Sequence, residues 1–471
     1  MTAEILRRHI ADGSLDMRFA ALYGEDRTAD ARRRYTEVLD DFITRYGASS
    51  PDVSLFSVPG RSELSGNHTD HNHGKVIAAS IDLDIIAAAA RTSDNIVRVK
   101  SAGHDENVVD LGSYTTPDSA FFGLSDALIA GVADAFVKKG HRVGGFSACT
   151  SSNVLKGSGL SSSAAFENMM GTIFSHLYND GEVGYVEIAQ DSQYAENAFF
   201  GKPCGLMDQV ACAAGGIVSI DFADPSKPVI EKLGFDLGSF GYCLCIVNTG
   251  GNHADLTDDY AAVPAEMKAV AAHFGKAVLR DVPENKFYAA IPALRTACGD
   301  RAVLRAIHFF DENRRVDSQR KALAENDLEA YFEGVRASGL SSFRYLQNVY
   351  TNKNVAEQGL SLALCLTEHF FDREGVHGVC RVHGGGFAGT IQAYVPADRA
   401  ADYAAAMNAV FGTDSCYVLR IRRSGAVKVF LTAPRSDREQ ERNIPAYEDK
   451  RKEIPPCRRL SRTRGKAQDR A

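Results

Sequence analysis

The sequence predicts an α+β protein with two lobes, on the strength of three observations. The first fifty residues have the sequence pattern of helices, and strand-like segments separated by glycines follow from Ser54. After a long helical region, strand-like segments return in the last third of the chain. Strands and helices do not alternate strictly, which favours an α+β arrangement over a doubly wound α/β one. A chain of 471 residues is also long enough for two or three domains.

The elements follow from local patterns along the chain. YTEVLDDFITRYG has apolar residues at helical spacing and ends in glycine, so the opening stretch to about Pro51 is predicted to be helical. Residues 121–139 and 161–178 repeat the helical pattern, and residues 259–368 are mostly helical. Strands are predicted at LFSVPGR, KVIAASIDLDIIAAAA, IVRVKSAG, GGFSACTSSNV, GYCLCIV, GVCRVH, TIQAYVP, YVLRIRR and GAVKVFL, with a helix at ADRAADYAAAMNAVF.

Composition narrows the class of protein. The formal charge of −7 argues against nucleic acid as the main partner, because phosphate binding needs a basic footprint. No apolar run is long enough to span a bilayer and the first residues lack a signal core, so a cytoplasmic location is expected. The ten cysteines form no framework and are expected to be buried free thiols. The charged text of residues 436–471 is expected to be a disordered tail.

Four segments carry chemistry. The first, residues 59–74, is PGRSELSGNHTDHNHG, a glycine-bounded loop that contains a cation, amides, hydroxyls and a carboxylate. Such a loop could bind a polyol, because each sugar hydroxyl needs both a donor and an acceptor. The alternatives are a zinc site at its histidines and a polar surface turn. In NVLKGSGLSSSAA (residues 153–165), glycines and hydroxyls open a helix whose positive end can bind phosphate, although simple helix capping gives the same pattern.

The other two segments are acidic and glycine-rich. AENAFFGKPCGLMDQ (residues 195–209) holds two carboxylates, of which one could bind a divalent cation and the other accept a proton. Each alone is more often a surface acid on a helix. VHGGGFAGT (residues 382–390) is a glycine cluster between strands, and its plain interpretation is a bulged turn.

Taken in order, these segments resemble the galactokinase branch of the GHMP kinase superfamily. They are similar to its signature PGRVNLIGEHTDYNGG, its phosphate loop GGGLSSSA, its AENxFxGxxCGxMDQ stretch and its GGGFGG motif. The similarity runs from about residue 30 to residue 428. It implies the two-lobed GHMP kinase fold with an interlobe active site, an N-terminal lobe over residues 1–235 and a C-terminal lobe over residues 236–435.

The resemblance also implies roles for individual residues. Asp208 matches the catalytic base, and Arg61 the arginine that neutralises the transferring phosphoryl group and holds the base ionised. Ser163 and Glu196 match the ligands of Mg²⁺. The sugar-contacting positions are Asn67, His68, Thr69, Asp70 and Tyr260, and the positions that wrap the phosphates of ATP are Gly157, Ser158, Gly159, Leu160, Ser161, Ser162 and Ser163.

The departures from the family pattern concern the sugar more than the reaction. The signature's glutamate is Asn67 here, its asparagine is Glu63 and its tyrosine is His71, while His383 replaces a threonine in the last motif. The implied function is ATP-dependent phosphorylation of the C1 hydroxyl of galactose by a monomer. A 1-kinase for galacturonate, N-acetylgalactosamine or arabinose and a non-catalytic sugar sensor are the alternatives.

Overall fold

The computed structural model describes residues 1–50, 52–114, 116–155, 159–202, 204–251 and 256–429. These residues belong to one compact unit, Met1–Leu431. The helices are α1 Ala3–Ala11, α2 Asp16–Tyr23, α3 Thr28–Tyr46, α4 Ser125–Lys138, α5 Ser162–Tyr178, α6 Tyr185–Tyr194, α7 Met207–Ala214, α8 Thr257–His273, α9 Glu284–Cys298, α10 Asp300–Ala324, α11 Leu328–Ser341, α12 Gly359–Glu374 and α13 Ala400–Phe411.

The strands form two sheets. They are β1 Ser54–Ser65, β2 Lys75–Arg91, β3 Ile96–Ser101, β4 Glu106–Asp110, β5 Phe146–Ser152, β6 Ile217–Asp221, β7 Val229–Leu233, β8 Tyr242–Asn248, β9 Val379–His383, β10 Thr390–Pro396, β11 Cys416–Leu419 and β12 Val427–Val429. The first sheet has the order β12-β1-β2-β5-β3-β4, with β6 on the first half of β2 and β7 beyond it. The second sheet, β11-β8-β10-β9, is antiparallel throughout.

Both faces of the first sheet are buried at β1 and β2, which explains the long apolar run of β2. Leu55, Ile86 and Ala88 pack against α1 to α3, whereas Phe56 and Ala87 point the other way into the core formed with α4 and α5. This split follows the two-residue period of a strand. One face of the second sheet packs against α12 and α13, through residues such as Cys243, Cys245 and Val247.

The α+β class and the predicted helices and strands are confirmed, but the helices α6 and α7 and three short strands were not predicted. The three strands are β4, β6 and β7, each of five residues. In β4 and β7 most residues are exposed, so the strands lack the apolar text on which the prediction relied. The strand β12 returns to pair with β1, so the C-terminal end of the described chain completes the first sheet. The lobe bounds at residue 235 stay a prediction, and residues 436–471 lie outside the described residues.

The nine cysteines that the structure describes are free thiols. The expectation of burial is wrong for Cys365, which is exposed on α12, and Cys204, Cys298 and Cys380 are only partly buried. Among the described residues, no helix combines the length and the apolar character that crossing a membrane requires.

Candidate active site

An arginine and an aspartate from distant parts of the chain form the centre of the candidate site. Arg61 lies in β1 where the register with β2 shifts, and Asp208 is the second residue of α7. Arg61 Nε and Nη2 lie 2.7 and 2.6 Å from Asp208 Oδ1. The guanidinium is buried, while the carboxylate side chain is 32% exposed. The pair therefore presents an oriented carboxylate, with a cation behind it, to the solvent side.

The start of α5 is joined to this pair. Arg61 donates through its backbone N–H to Leu160 O at 3.1 Å and through Nη1 to Gly159 O, and the Ser161 hydroxyl donates to Asp208 Oδ2. Ser161 has φ +59°, an uncommon conformation for a residue other than glycine, directly before the helix. Gly60 permits the close approach of the two segments, because a Cβ there would lie 2.7 Å from Leu160 O. Ser162 and Ser163 open α5, and the predicted phosphate contacts Gly157 and Ser158 lie outside the described residues.

The sugar signature and the glycine cluster are joined by three successive carbonyl groups. Asn67 Nδ2 donates to Gly384 O at 2.6 Å, His68 Nε2 to Gly385 O at 2.8 Å, and the Tyr260 hydroxyl to Gly386 O at 2.6 Å. The cluster can lie this close only without side chains: a Cβ on Gly385 would be 2.4 Å from the Tyr260 ring. The structure therefore brings three predicted sugar-contacting residues together on one backbone segment.

The histidines of the signature form a hydrogen-bonded chain. A carbonyl oxygen only accepts, so His68 Nε2 carries the proton and its Nδ1 accepts from His71 Nε2 at 3.3 Å. His71 Nδ1 in turn accepts from Asn72 Nδ2 at 2.9 Å. Burial holds the pKa of His71 well below its usual range, which agrees with its neutral place in this chain. Among the described residues, no three His, Cys, Asp or Glu side chains form a cluster able to hold a metal ion, so the structure gives no support to the zinc interpretation.

Asp70 and Thr69 have different surroundings. Asp70 Oδ2 lies against the backbone before α7, where a Cβ on Gly205 would be 2.8 Å away. Burial raises the pKa of Asp70, and the charge of Asp208 adds to the rise. Asp70 therefore lies on the Asp208 side of the site and is partly exposed. The Thr69 side chain is fully buried and donates to Gly66 O and Lys75 O within its own turn.

Two departures from the family signature prove to be neighbours. Glu63 and Asn67 exchange the asparagine and glutamate of the signature, and Asn67 Nδ2 lies 3.4 Å from Glu63 Oε1. The same oxygen accepts from Arg381 Nη2 at 2.7 Å, and the Arg381 side chain is fully buried. Asn67 Oδ1 accepts from Asn348 and Ser342, so its amide is fully used by protein groups. A carboxylate therefore remains beside position 67, but residue 63 carries it.

A buried acidic cluster lies behind α7. Gln209 Nε2 donates to Glu196 Oε2 at 2.9 Å and to Glu167 Oε2 at 3.2 Å, and Lys202 Nζ pairs with Glu196 Oε1 at 2.8 Å. Glu167 follows Ser163 by one turn of α5, which puts the two on one helix face. Burial raises the pKa of Glu167 well above its usual range, and the charge of Glu196 adds to the rise.

This cluster fits a divalent cation held partly by a substrate. Mg²⁺ prefers oxygen ligands and is commonly bound by one or two carboxylates, with phosphates and water completing its octahedron. The hydroxyl of Ser163 and the carboxylate of Glu196 supply such oxygens. Glu167 Oε1 is buried and has no hydrogen-bond partner in the described part of the chain. An additional polar group or cation in the cluster would satisfy that oxygen.

Three residues of the site were not predicted from the sequence, and the conformation of one segment was predicted wrongly. Glu167, Gln209 and Lys202 were not singled out; the signal for Glu167 was an acid in an otherwise apolar helix, SSAAFENMMGTIF. The expectation of a loop over residues 59–74 is wrong for its first half, because β1 extends to Ser65. Bulges after Pro59 and Glu63 let this polar text remain in the strand.

Two family models match the chain. The model described as the galactokinase galactose-binding signature matches residues 40–91. The model of the GHMP kinases N terminal domain matches residues 127–216. The first match covers Arg61 and the sugar signature, and the second covers the phosphate loop, Glu196 and Asp208.

Relatives extend the similarity over most of the chain. A galactokinase of Streptomyces coelicolor is 33% identical over 308 residues, which are 64% of this chain and 76% of that protein. The crystal structure of Lactococcus lactis galactokinase complexed with galactose matches with a TM-score of 0.68 at 25% identity, covering 82% of this chain and 98% of that one. A mevalonate kinase of Methanococcus jannaschii shares the fold, with a TM-score of 0.56 at 15% identity over 79% of this chain and 99% of its own. The chain is a sugar kinase that belongs to the galactokinase family of the GHMP kinases.

Proposed function

We propose that this chain transfers the γ-phosphoryl group of ATP to the C1 hydroxyl of galactose, giving ADP and galactose 1-phosphate. The observation that carries the proposal is the Arg61–Asp208 pair beside the start of α5. A carboxylate that can take a hydroxyl proton lies next to a helix N-terminus that can bind phosphate. Phosphoryl transfer requires mainly such positioning and charge neutralisation.

In this mechanism Asp208 accepts the proton of the C1 hydroxyl while the sugar oxygen forms its bond to the γ-phosphorus. The bond from that phosphorus to the β-γ bridging oxygen breaks, and ADP leaves with the electron pair. Arg61 holds the carboxylate in place through two nitrogens, and its charge would neutralise the group being transferred. Ser161 releases its hydrogen bond to Asp208 when the sugar hydroxyl takes that place.

The first turn of α5 would bind the triphosphate, and Ser163 with Glu196 would hold Mg²⁺. When bound, this ion would neutralise part of the negative charge of the phosphate groups. The backbone of the Gly159–Ser163 segment supports this role by its position between Arg61 and the helix start. Gly157 and Ser158 are proposed to complete the phosphate loop.

For the sugar, the partly exposed groups Asp70, His68 and Tyr260 are the proposed direct contacts. Asn67 and Thr69 are proposed to support the sugar-contacting residues from the protein interior, because their polar atoms already bond to protein groups. Burial raises the pKa of Tyr260 to about 12, so its hydroxyl keeps its proton and can take part in hydrogen bonds near neutral pH. We also propose a cytoplasmic monomer that binds only small molecules.

A panel of sugars assayed with Mg-ATP tests the proposal. Galactose, galacturonate, N-acetylgalactosamine and arabinose are compared by ADP release, and ³¹P–¹H coupling in the product identifies the phosphorylated oxygen. We expect the highest kcat/KM for galactose, with the phosphate on C1. A higher value for another sugar would contradict the substrate assignment, and ADP release from none of them would contradict the catalytic one. The oligomeric state is read separately by sedimentation.

A further inference from the structure

Glu196, the proposed metal ligand, already forms an ion pair with a lysine of this chain. Lys202 Nζ lies 2.8 Å from Glu196 Oε1, and Gln209 occupies the other carboxylate oxygen at 2.9 Å. Both oxygens of the carboxylate are therefore engaged by groups of this chain. Metal binding through Oε1 would bring the ion and the lysine ammonium to the same atom.

Lys202 is the mobile partner of this ion pair. Its side chain is 60% exposed, whereas that of Glu196 is 3% exposed. The Lys202 backbone N–H donates to Glu196 O at 3.1 Å and so anchors the residue at the end of the π-helical turn Ala195–Phe199. Only the tip of the side chain enters the cluster, and the rest of a flexible four-carbon stem is free to rotate outwards. The stretch AENxFxGxxCGxMDQ of the family fixes no residue at this position, so the lysine is not part of the family motif.

The cluster also needs a cation. Two carboxyl groups, Glu167 and Glu196, share the single amide nitrogen of Gln209. In the described part of the chain, the ammonium of Lys202 forms an ion pair with Glu196. Buried carboxylates without a cation are costly, so the ammonium stabilises the cluster while no metal is bound.

We propose that Lys202 is a displaceable placeholder for the divalent cation. Its ammonium neutralises Glu196 in the metal-free protein and turns out to solvent when a metal ion takes Glu196 Oε1. The proposal rests on the metal role of Glu196 in the proposed function. Because the two cations compete for one oxygen, Lys202 weakens metal binding and sets the metal concentration at which the site fills.

A merely structural ion pair makes a different prediction. Its loss would lower the stability of the metal-free protein and would leave metal affinity unchanged or weaker. A placeholder lowers metal-free stability too, but its removal strengthens metal binding. The direction of the change in affinity therefore separates the two roles without any measurement of activity.

The experiment titrates the protein, with a non-hydrolysable ATP analogue bound, with Mn²⁺ and measures free Mn²⁺ by its EPR signal. Lys202→Met should bind Mn²⁺ about tenfold more tightly than the wild type, while Lys202→Arg, which keeps the charge, should stay within about threefold of it. The matched control is Lys138→Met, which removes a lysine of 59% exposure from a carboxylate 2.7 Å away, Asp134, and should not change the affinity. Melting curves should show a lower metal-free Tm for Lys202→Met and a larger rise in Tm with Mn²⁺.

Glu196→Gln identifies which idea fails. Should Lys202→Met bind Mn²⁺ no more tightly than the wild type while Glu196→Gln binds it more weakly, the metal site stands and the placeholder is refuted. Should Glu196→Gln bind Mn²⁺ as the wild type does, Glu196 is not the metal ligand, and both the metal assignment and the placeholder fail. Undetectable binding by Lys202→Met at millimolar Mn²⁺ would also overturn the placeholder.

Discussion

Replacing Glu63 by Gln tests whether the exchanged carboxylate neutralises a buried arginine. Arg381 is fully buried, lies 2.7 Å from Glu63 Oε1, and donates to Ser338 Oγ at 3.1 Å. Glutamine keeps the shape and removes the charge, so the guanidinium would stay buried without a counter-ion. Breaking a buried pair in this way costs about 3–5 kcal/mol of the free energy of unfolding. A Coulomb estimate of about 4 kcal/mol for charges near 4 Å at an effective dielectric constant of 20 agrees with that range.

The assay is equilibrium unfolding in urea, followed by circular dichroism. Asp300→Asn serves as the matched control, because it removes a carboxylate at the same 2.7 Å from an arginine, Arg295, but on the surface. We expect no measurable change for this control. The double variant Glu63→Asn/Asn67→Glu restores the family order and should be more stable than the sum of its single variants by at least about 1 kcal/mol. A loss for Glu63→Gln no larger than the control's, or strict additivity in the double variant, would show that Glu63 does not neutralise Arg381.

Three further predictions concern the proposed metal ligand, a buried histidine and the C-terminal residues. Glu196→Gln should raise the Mg²⁺ concentration needed for half-maximal rate, and an unchanged requirement would contradict its metal role. Burial lowers the pKa of His308 to about 3 from an ordinary value of 6.5. Its neutral form is therefore favoured by the folded state, and stability should fall by about 1.4 kcal/mol per pH unit as pH drops from about 6.5 towards 3. His308→Gln should remove that slope from urea-unfolding data, while His71 and His383 keep theirs; equal slopes would contradict the assignment. Deleting residues 436–471 should leave Tm and kinase activity unchanged, and a loss of several degrees would show that the tail packs.

The elements with strong periodicity could be predicted from sequence alone. The apolar spacing in YTEVLDDFITRYG and the run KVIAASIDLDIIAAAA each determine a buried face, and both elements form where expected. The exposed strand β7, Val229–Leu233, has no such pattern, since it exists through its pairing with β6. The pairing of distant segments depends on the whole fold, so it could not be predicted from local sequence patterns.

The same distinction holds in the site. Arg61, Asp208 and Ser161 were predicted from motifs, and the structure brings them into contact. The exchange of Glu63 and Asn67 was visible in the sequence as two separate departures. Its meaning depends on Arg381, which lies 318 residues further along the chain. Lys202 gave no signal, because its importance comes from the orientation of one side chain towards Glu196.

In the proposed mechanism, Asp208 takes the proton from the C1 hydroxyl of galactose. The most direct test is the single-turnover rate of phosphoryl transfer from Mg-ATP to galactose in the wild type and in Asp208→Asn, with galactose affinity measured by calorimetry on the same proteins. Asparagine is nearly isosteric but cannot accept the proton, so the rate should fall by a factor on the order of 10² or more while galactose still binds. A variant that transfers the phosphoryl group at close to the wild-type rate would contradict the account.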